Sequence, residues 1–333
     1  MRTVYLKLTN GCNLKCKHCY NEQMSNHSKM NDDVIKDAIS YINALAKSEK
    51  VQVQLHGGEP FLLKAEKIKN ICDRLDSSVE INATTNLAYV LTPQIIDIFK
   101  LFAPVHSANP LVQTSWDYKI RFANDVQEKL WISNVKTLLQ NNVDVQVTVC
   151  LTKLLINEVT PKALFEYFTS LGVKYINFER LTSNGSMLQN DWLMPSNTDV
   201  SSWLLDAYIE HKKHDITVSF FVAIENSIKG YFIGCRERKC TQTVVTINPD
   251  GSVASCPNTA HRPFASIKEL LEESQCTRQK QIIWIKQEQI RNQQCYSCKY
   301  FKYCNGDCFQ LAWDRTGCPG PKLIYECILN ERQ

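Results

Sequence analysis

Three cysteines near the start constrain this chain more than any other feature. The stretch Thr9-Asn10-Gly11-Cys12-Asn13-Leu14-Lys15-Cys16-Lys17-His18-Cys19-Tyr20 sets them in a Cys-x3-Cys-x2-Cys run, directly after an apolar, strand-like segment. Thiolates are soft ligands, suited to iron–sulfur clusters, zinc or copper(I). Four would close a tetrahedral structural site. Three leave one metal position open, which points to chemistry rather than scaffolding. A zinc site completed by a distant Cys or His is the competing reading.

The cysteine count supports a metal. The 333 residues include 15 cysteines, and the absence of a signal-peptide pattern at Met1-Arg2-Thr3 leads to the expectation of a cytoplasmic protein, where thiols stay reduced. Metal binding is then a stronger reading than a disulfide framework. The cysteines are clustered: Cys12, Cys16 and Cys19 at the start, Cys72 and Cys150 in the middle, and ten more from Cys235 to Cys327. A net charge of +4 without a long basic run gives no indication of nucleic acid. No apolar stretch approaches the ~20 residues that span a bilayer, so no membrane partner is expected.

The middle of the chain alternates strand and helix patterns. Strands are expected at Thr3–Leu8, Val51–Leu55, Val79–Ala83, Leu111–Ser115, Val143–Leu151 and Lys174–Phe178. Helices are expected at Asp32–Ala46, capped by Asn31, and at Ala65–Leu75, Gln94–Leu101, Gln127–Gln140 and Pro161–Leu171. Leu181–Thr198 reads as a linker, Asp199–Lys212 as a helix and Ile216–Ala223 as a late strand. Such alternation predicts an α/β fold with a parallel sheet covered by helices. Right-handed crossovers would curl it into a barrel or part of one, with the active site at the carboxyl ends of the strands. The cysteine loop follows the first strand and lies at that end.

The second strand ends in His56-Gly57-Gly58-Glu59-Pro60. Two glycines let a backbone approach a ligand, and the carboxylate would suit an amino-acid-like amino group. With the Cys12–Cys19 loop, this turn resembles the radical S-adenosylmethionine (SAM) superfamily. The resemblance covers roughly residues 1–220 and implies a partial (β/α)6 barrel. It implies a catalytic 4Fe–4S cluster on Cys12, Cys16 and Cys19, SAM on its open iron and a 5′-deoxyadenosyl radical as product. It implies SAM contacts from Gly57, Gly58, Glu59 and Pro60, and from Asn86 in Thr84-Thr85-Asn86, where Leu87 stands in place of the family's glycine. Ser115 and Asp117, in Ser115-Trp116-Asp117, are further candidates, Asp117 facing SAM or substrate.

The tail, residues 221–333, resembles the SPASM domain of peptide and protein maturases. This small, loop-rich, Cys-rich domain follows radical SAM cores and holds two auxiliary 4Fe–4S clusters. The resemblance implies Cys235, Cys240, Cys256 and Cys308 as ligands of the first. Cys295, Cys298, Cys304 and a last cysteine, Cys327 with Cys318 as its competitor, would hold the second. Cys276 matches no ligand and is either a bystander or a hydrogen donor near the radical. Cys72 and Cys150 are expected in the core. Sulfatase maturases carry an Asp after the cysteine matching Cys256; here Pro257 stands there. Glu179, Glu225 and His261 join Asp117 as candidate acid–base groups.

The implied function is an oxidoreductase that matures a ribosomally made (RiPP) precursor peptide by peptide crosslinking, through a carbon–carbon cyclophane or a thioether. Alternatives are a peptide epimerase and a sugar or aminoglycoside dehydrogenase, with sulfatase maturation disfavoured. A flavodoxin- or ferredoxin-type electron donor is implied. Leader recognition is expected from the SPASM region, the barrel mouth or a separate protein.

Overall fold

The computed structural model describes residues 1–21, 27–232, 234–272 and 275–331, with the side chains of Gln275 and Cys276 outside that description. The expectation placed on Cys276 therefore lies outside the described residues.

Six parallel strands form the frame: β1 (Arg2–Thr9), β2 (Val51–Gly57), β3 (Glu80–Ala83), β4 (Leu111–Ser115), β5 (Asp144–Leu151) and β6 (Tyr175–Arg180). β1, β2 and β3 pair in sequence order, as do β4, β5 and β6. A parallel bridge between Thr84 and Gln113 carries the array from β3 to β4. Helices α1 (Asp32–Ala46), α2 (Ala65–Asp73), α3 (Pro93–Phe99), α4 (Asp125–Gln140), α5 (Lys153–Glu158) and α6 (Pro161–Ser170) fall between the strands. The partial (β/α)6 barrel that the resemblance implies is present.

Local chemistry explains the helix starts. Asn31 Oδ1 accepts the Val34 N–H at 2.9 Å and caps α1. Ile35, Ala38, Ile39 and Ile42 then recur on its buried face. α3 and α6 each open with proline behind a capping threonine, Thr92 and Thr160.

The strands alternate. Val4, Leu6 and Leu8 of β1 are fully buried, as are Val145, Val147, Val149 and Leu151 of β5. Side chains of successive strand residues point to opposite faces. Tyr5 and Lys7, Gln54 and His56, Gln113 and Ser115, Thr148 and Cys150, and Asn177 and Glu179 therefore share the barrel lumen. Tyr5 meets His56 edge-on at 5.4 Å.

After β6 come α7 (Asn197–His211), β7 (Thr217–Val218) and α8 (Ser219–Ile228). The late strand expected at Ile216–Ala223 is only two residues long. Phe220, Phe221 and Ile224 recur at helical spacing and bury in α8, a pattern that a short apolar run does not separate from a strand. The division expected between residues 220 and 221 falls inside this helix. The tail adds α9 (Cys240–Thr243), β8 (Val244–Ile247), β9 (Ser252–Ala254), β10 (Ala265–Ser266), α10 (Ile267–Leu271), α11 (Gln275–Gln289), α12 (Phe301–Cys304) and α13 (Lys322–Asn330). β8 pairs in parallel with β1, so the Cys-rich region extends the barrel sheet at its open edge.

Candidate active site

The cysteine loop is clamped from three sides at the carboxyl end of the barrel. The first clamp is the turn after β2. Gly58 N–H donates to the Thr9 carbonyl at 2.7 Å, and Glu59 N–H to the Gly11 carbonyl at 2.8 Å. Gly57 has φ +136°, and a Cβ there would overlap the Thr9 carbonyl; one on Gly58 would overlap the Gly11 carbonyl. Both positions demand glycine because two backbones touch.

The second clamp is the loop after β3. Asn86 Nδ2 donates to Asn13 Oδ1 at 2.7 Å and approaches Cys12 Sγ at 3.5 Å. Asn13 Nδ2 returns a bond to the Ala88 carbonyl at 2.7 Å. Leu87 has φ +51°, the left-handed conformation that glycine adopts freely. Its carbonyl accepts from the buried Asn134 amide at 2.9 Å.

The third clamp is the segment expected to be a linker. Gly185, at φ +54°, backs onto the Cys19 carbonyl, and Ser186 N–H donates to that carbonyl at 2.9 Å. This segment is therefore part of the barrel mouth.

Glu59 does not present its carboxylate to the mouth as a free group. It is fully buried and accepts from Phe61 N–H at 3.0 Å, Thr85 Oγ1 at 2.8 Å and Asn86 N–H at 2.6 Å. Through these bonds the carboxylate ties the two turns together. Burial pushes its pKa up to about 7, against the pull of those three bonds.

Asp117 is buried behind Cys16. Arg121 Nη1 donates to its Oδ2 at 2.8 Å, His18 Nε2 lies 3.4 Å from Oδ2, and Cys150 N–H donates to Oδ1 at 3.0 Å. Burial alone would raise this carboxyl, but His18, Arg121 and the Cys150 N–H hold it below the ordinary range. These contacts anchor its carboxylate between His18, Arg121 and the β5 backbone. Cys150 packs partly buried against the small cluster of Ile120, Leu181, Met187 and Leu193, and its thiol also lies beside His18 and Asp117. Cys72 is buried as expected.

Ser115 ends β4 on the lumen side, and Pro60 opens a buried 3₁₀ turn. Sequence reasoning missed Tyr5, Lys7, Tyr20 and His56. Tyr20 Oη lies 3.0 Å from His56 Nε2. Burial lowers the Lys7 amine to about 8. Of the other acid–base candidates, Glu179 faces the lumen with Asn177 Nδ2 on its Oε1 at 2.9 Å. Glu225 instead receives Tyr208 Oη at 3.1 Å on α8.

The tail gathers its thiols into two sets. Cys240, Cys256 and Cys308 all act electrostatically on Cys235, and Cys308 on Cys256. Cys295, Cys298, Cys304 and Cys318 line one cavity. A Cβ on Gly320 would stand 3.1 Å from Cys304 Sγ and 3.5 Å from Cys318 Sγ. Cys327 is outside that cavity, on α13, with its thiol 3.6 Å from Glu331 Oε1. This geometry favours Cys318, the competitor, over Cys327 as the fourth member of that set. Asn197 holds the 312–317 turn, donating to the Ala312 and Gly317 carbonyls at 3.1 and 2.9 Å, and this brings Cys318 inward. Each set, four thiols in one place, suits a soft metal group.

The model of the radical SAM superfamily matches residues 6–169. This chain carries a radical SAM domain. The domain match includes the Cys12–Cys19 loop and the Gly57–Pro60 turn. The uncharacterized protein MJ0907 of Methanocaldococcus jannaschii is 34% identical over 92 residues, which span 25% of this chain and 31% of that protein. The anSMEcpe structure with bound AdoMet and Kp18Cys peptide is similar at a TM-score of 0.78, covering 98% of this chain and 96% of that one at 17% identity. SuiB of Streptococcus suis, bound to the precursor peptide SuiA, is similar at 0.62, covering 92% and 71% at 14% identity. These two likenesses are of fold, and the first extends through the Cys-rich tail that follows the radical SAM domain. Among the described residues, no helix is long and apolar enough to cross a membrane.

Proposed function

We propose that this radical SAM chain is a SPASM-type maturase that takes a hydrogen atom from a ribosomally made peptide and closes an intramolecular crosslink. The observation that carries the reading is the clamped three-thiol loop opening onto a lumen lined with hydrogen-bonding side chains. Cys12, Cys16 and Cys19 would hold a 4Fe–4S cluster with SAM on its open iron. Cys235, Cys240, Cys256 and Cys308 would hold a second cluster, and Cys295, Cys298, Cys304 and Cys318 a third. When bound, these groups supply a 5′-deoxyadenosyl radical and an acceptor for the electron that bond closure releases.

The chain's own residues do the rest. The Gly57–Gly58 backbone forms a narrow ledge beside the cysteine loop, and Asn86 and Ser115 offer polar contacts to SAM at the strand ends. Asp117 orients Arg121 and His18 against Cys16. Tyr5, His56, Asn177 and Glu179 present donors and acceptors that match peptide groups rather than an apolar chain. Glu179 would take the proton that crosslinking releases. Pro257 after Cys256 gives sulfatase maturation no support. A flavodoxin- or ferredoxin-type donor and a separate leader-recognition protein are the proposed partners.

Cys150 favours a second reading, peptide epimerisation, because its thiol faces the lumen and could return a hydrogen atom. Product mass separates the two. Crosslinking removes two hydrogens from the peptide. Epimerisation leaves the mass unchanged and adds one deuterium in heavy water. A precursor peptide recovered unchanged in mass, with no deuterium, after deoxyadenosine has formed would sink both.

A further inference from the structure

One buried ionic cluster touches each segment that brings the two thiol sets together. Asp307 stands between Cys304 and Cys308 and is 1% exposed. Its N–H bonds to the Cys304 carbonyl at 2.9 Å, and its Oδ1 accepts the Cys308 N–H at 2.8 Å. Arg180 grips the carboxylate with both ends of its fork, Nη1 to Oδ2 at 2.9 Å and Nη2 to Oδ1 at 3.0 Å. Arg236 Nη2 reaches Oδ2 at 3.5 Å. Arg180 Nη1 also donates to the Pro319 carbonyl at 2.9 Å, next to Cys318. Arg236 follows Cys235, and its carbonyl accepts Asn305 Nδ2 at 2.9 Å, next to Cys304. Both guanidinium groups lie over the Phe220 ring, at 5.2 and 5.0 Å.

Arg180 is the last residue of β6, so the cluster joins the barrel wall to Cys235, Cys304, Cys308 and Cys318 at once. Its charge also reaches the thiols. Asp307 N–H, held by the Cys304 carbonyl, places the two guanidinium groups within one turn of Cys304 and Cys308. Glu179, the residue before Arg180, feels the same charges from the lumen side. A positive charge in a low-dielectric interior favours electron-rich neighbours, and the reduction potential of a thiolate-bound cluster follows local charge and hydrogen bonding.

We propose that Arg180, Asp307 and Arg236 form a charged clamp that fixes the two thiol sets against the barrel and holds the reduction potentials of both auxiliary groups up. This rests on the reading of those sets as cluster ligands. The three are positioning residues: they act through the cysteine segments and touch no substrate.

The test is an anaerobic redox titration, followed by EPR with iron analysis, of the full reconstituted chain and its Arg180→Met, Arg180→Lys and Asp307→Asn variants. The clamp predicts that Arg180→Met keeps its iron but shifts both auxiliary potentials downward, leaving the N-terminal cluster signal unmoved. Arg180→Lys restores most of the shift, and Asp307→Asn moves the potentials upward. Unmoved auxiliary potentials in Arg180→Met or Asp307→Asn overturn the clamp while leaving the ligand sets standing. If Arg180→Met loses its iron, Arg180→Lys and Asp307→Asn decide by the same shifts. A wild-type chain that shows only the N-terminal signal overturns the clamp and the ligand sets together.

Discussion

Glu59 accepts the Asn86 backbone N–H at 2.6 Å, joining the turn after β2 to the loop after β3 beneath the cysteine loop. The carboxylate is fully buried, and its pKa is raised from 4.5 to about 7. A raised carboxyl binds its proton more tightly folded than unfolded. Its contribution is therefore complete below about pH 4.5 and is lost as pH climbs through 7. A shift of this size corresponds to about 3 kcal/mol. Urea unfolding of the metal-free chain and of Glu59→Gln, at steps from pH 5 to 8, checks this. Wild type should lose stability relative to the variant as pH rises; parallel curves would contradict it.

Gly57 and Gly58 have no room for a side chain, because Thr9 and Gly11 carbonyls occupy the space. Gly57→Ala and Gly58→Ala should each cost more than about 3 kcal/mol, or displace the cysteine loop. Thermal unfolding and iron content after reconstitution report both effects. A variant with wild-type values for both would show that the two turns are not pressed together.

Leu87 is fully buried and holds φ +51°. Left-handed backbone costs a residue with a Cβ about 1–2 kcal/mol. Truncation to Ala or Gly opens nearly the same cavity, but only Gly escapes that strain. Leu87→Gly should therefore be the more stable of the two by about 1 kcal/mol, reversing the order usual in regular structure. Paired denaturant midpoints give the answer, and Ala above Gly would count against the strain.

Cys318 lines a cavity with three other thiols, whereas Cys327 turns to Glu331 on α13. Cys318→Ser should lower the iron content of the reconstituted chain by about one cluster, and Cys327→Ser should leave it unchanged. The opposite pattern would return the ligand role to Cys327.

The barrel was legible because its signals are local. Capping residues, apolar recurrence and the Cys12–Cys19 and Gly57–Pro60 spacings all act within a few residues. The lumen was also written in the chain. Val51-Gln52-Val53-Gln54-Leu55-His56 alternates, whereas a strand buried on both faces reads as a continuous apolar run. Reading that alternation would have exposed Tyr5, Lys7 and His56 and placed Cys150 on the lumen side of β5. The remainder depends on pairs far apart in sequence. Arg180 and Asp307 are 127 positions apart, and no local pattern announces them. The family resemblance pointed to Cys327 with Cys318 as competitor, but only the fold shows Cys318 beside three other thiols. The linker reading failed for a similar reason: its Ser, Asn and Gly residues are those of a loop, and only Gly185 against the Cys19 carbonyl shows that the loop is packed.

The most direct measurement is of 5′-deoxyadenosine formed when the anaerobically reconstituted, reduced chain is given SAM. Wild type should form deoxyadenosine and the Cys12→Ala, Cys16→Ala, Cys19→Ala triple variant none, with the iron of the two C-terminal sets still bound. Continued deoxyadenosine formation by the triple variant, or a colourless wild-type protein holding zinc and making none, would contradict it.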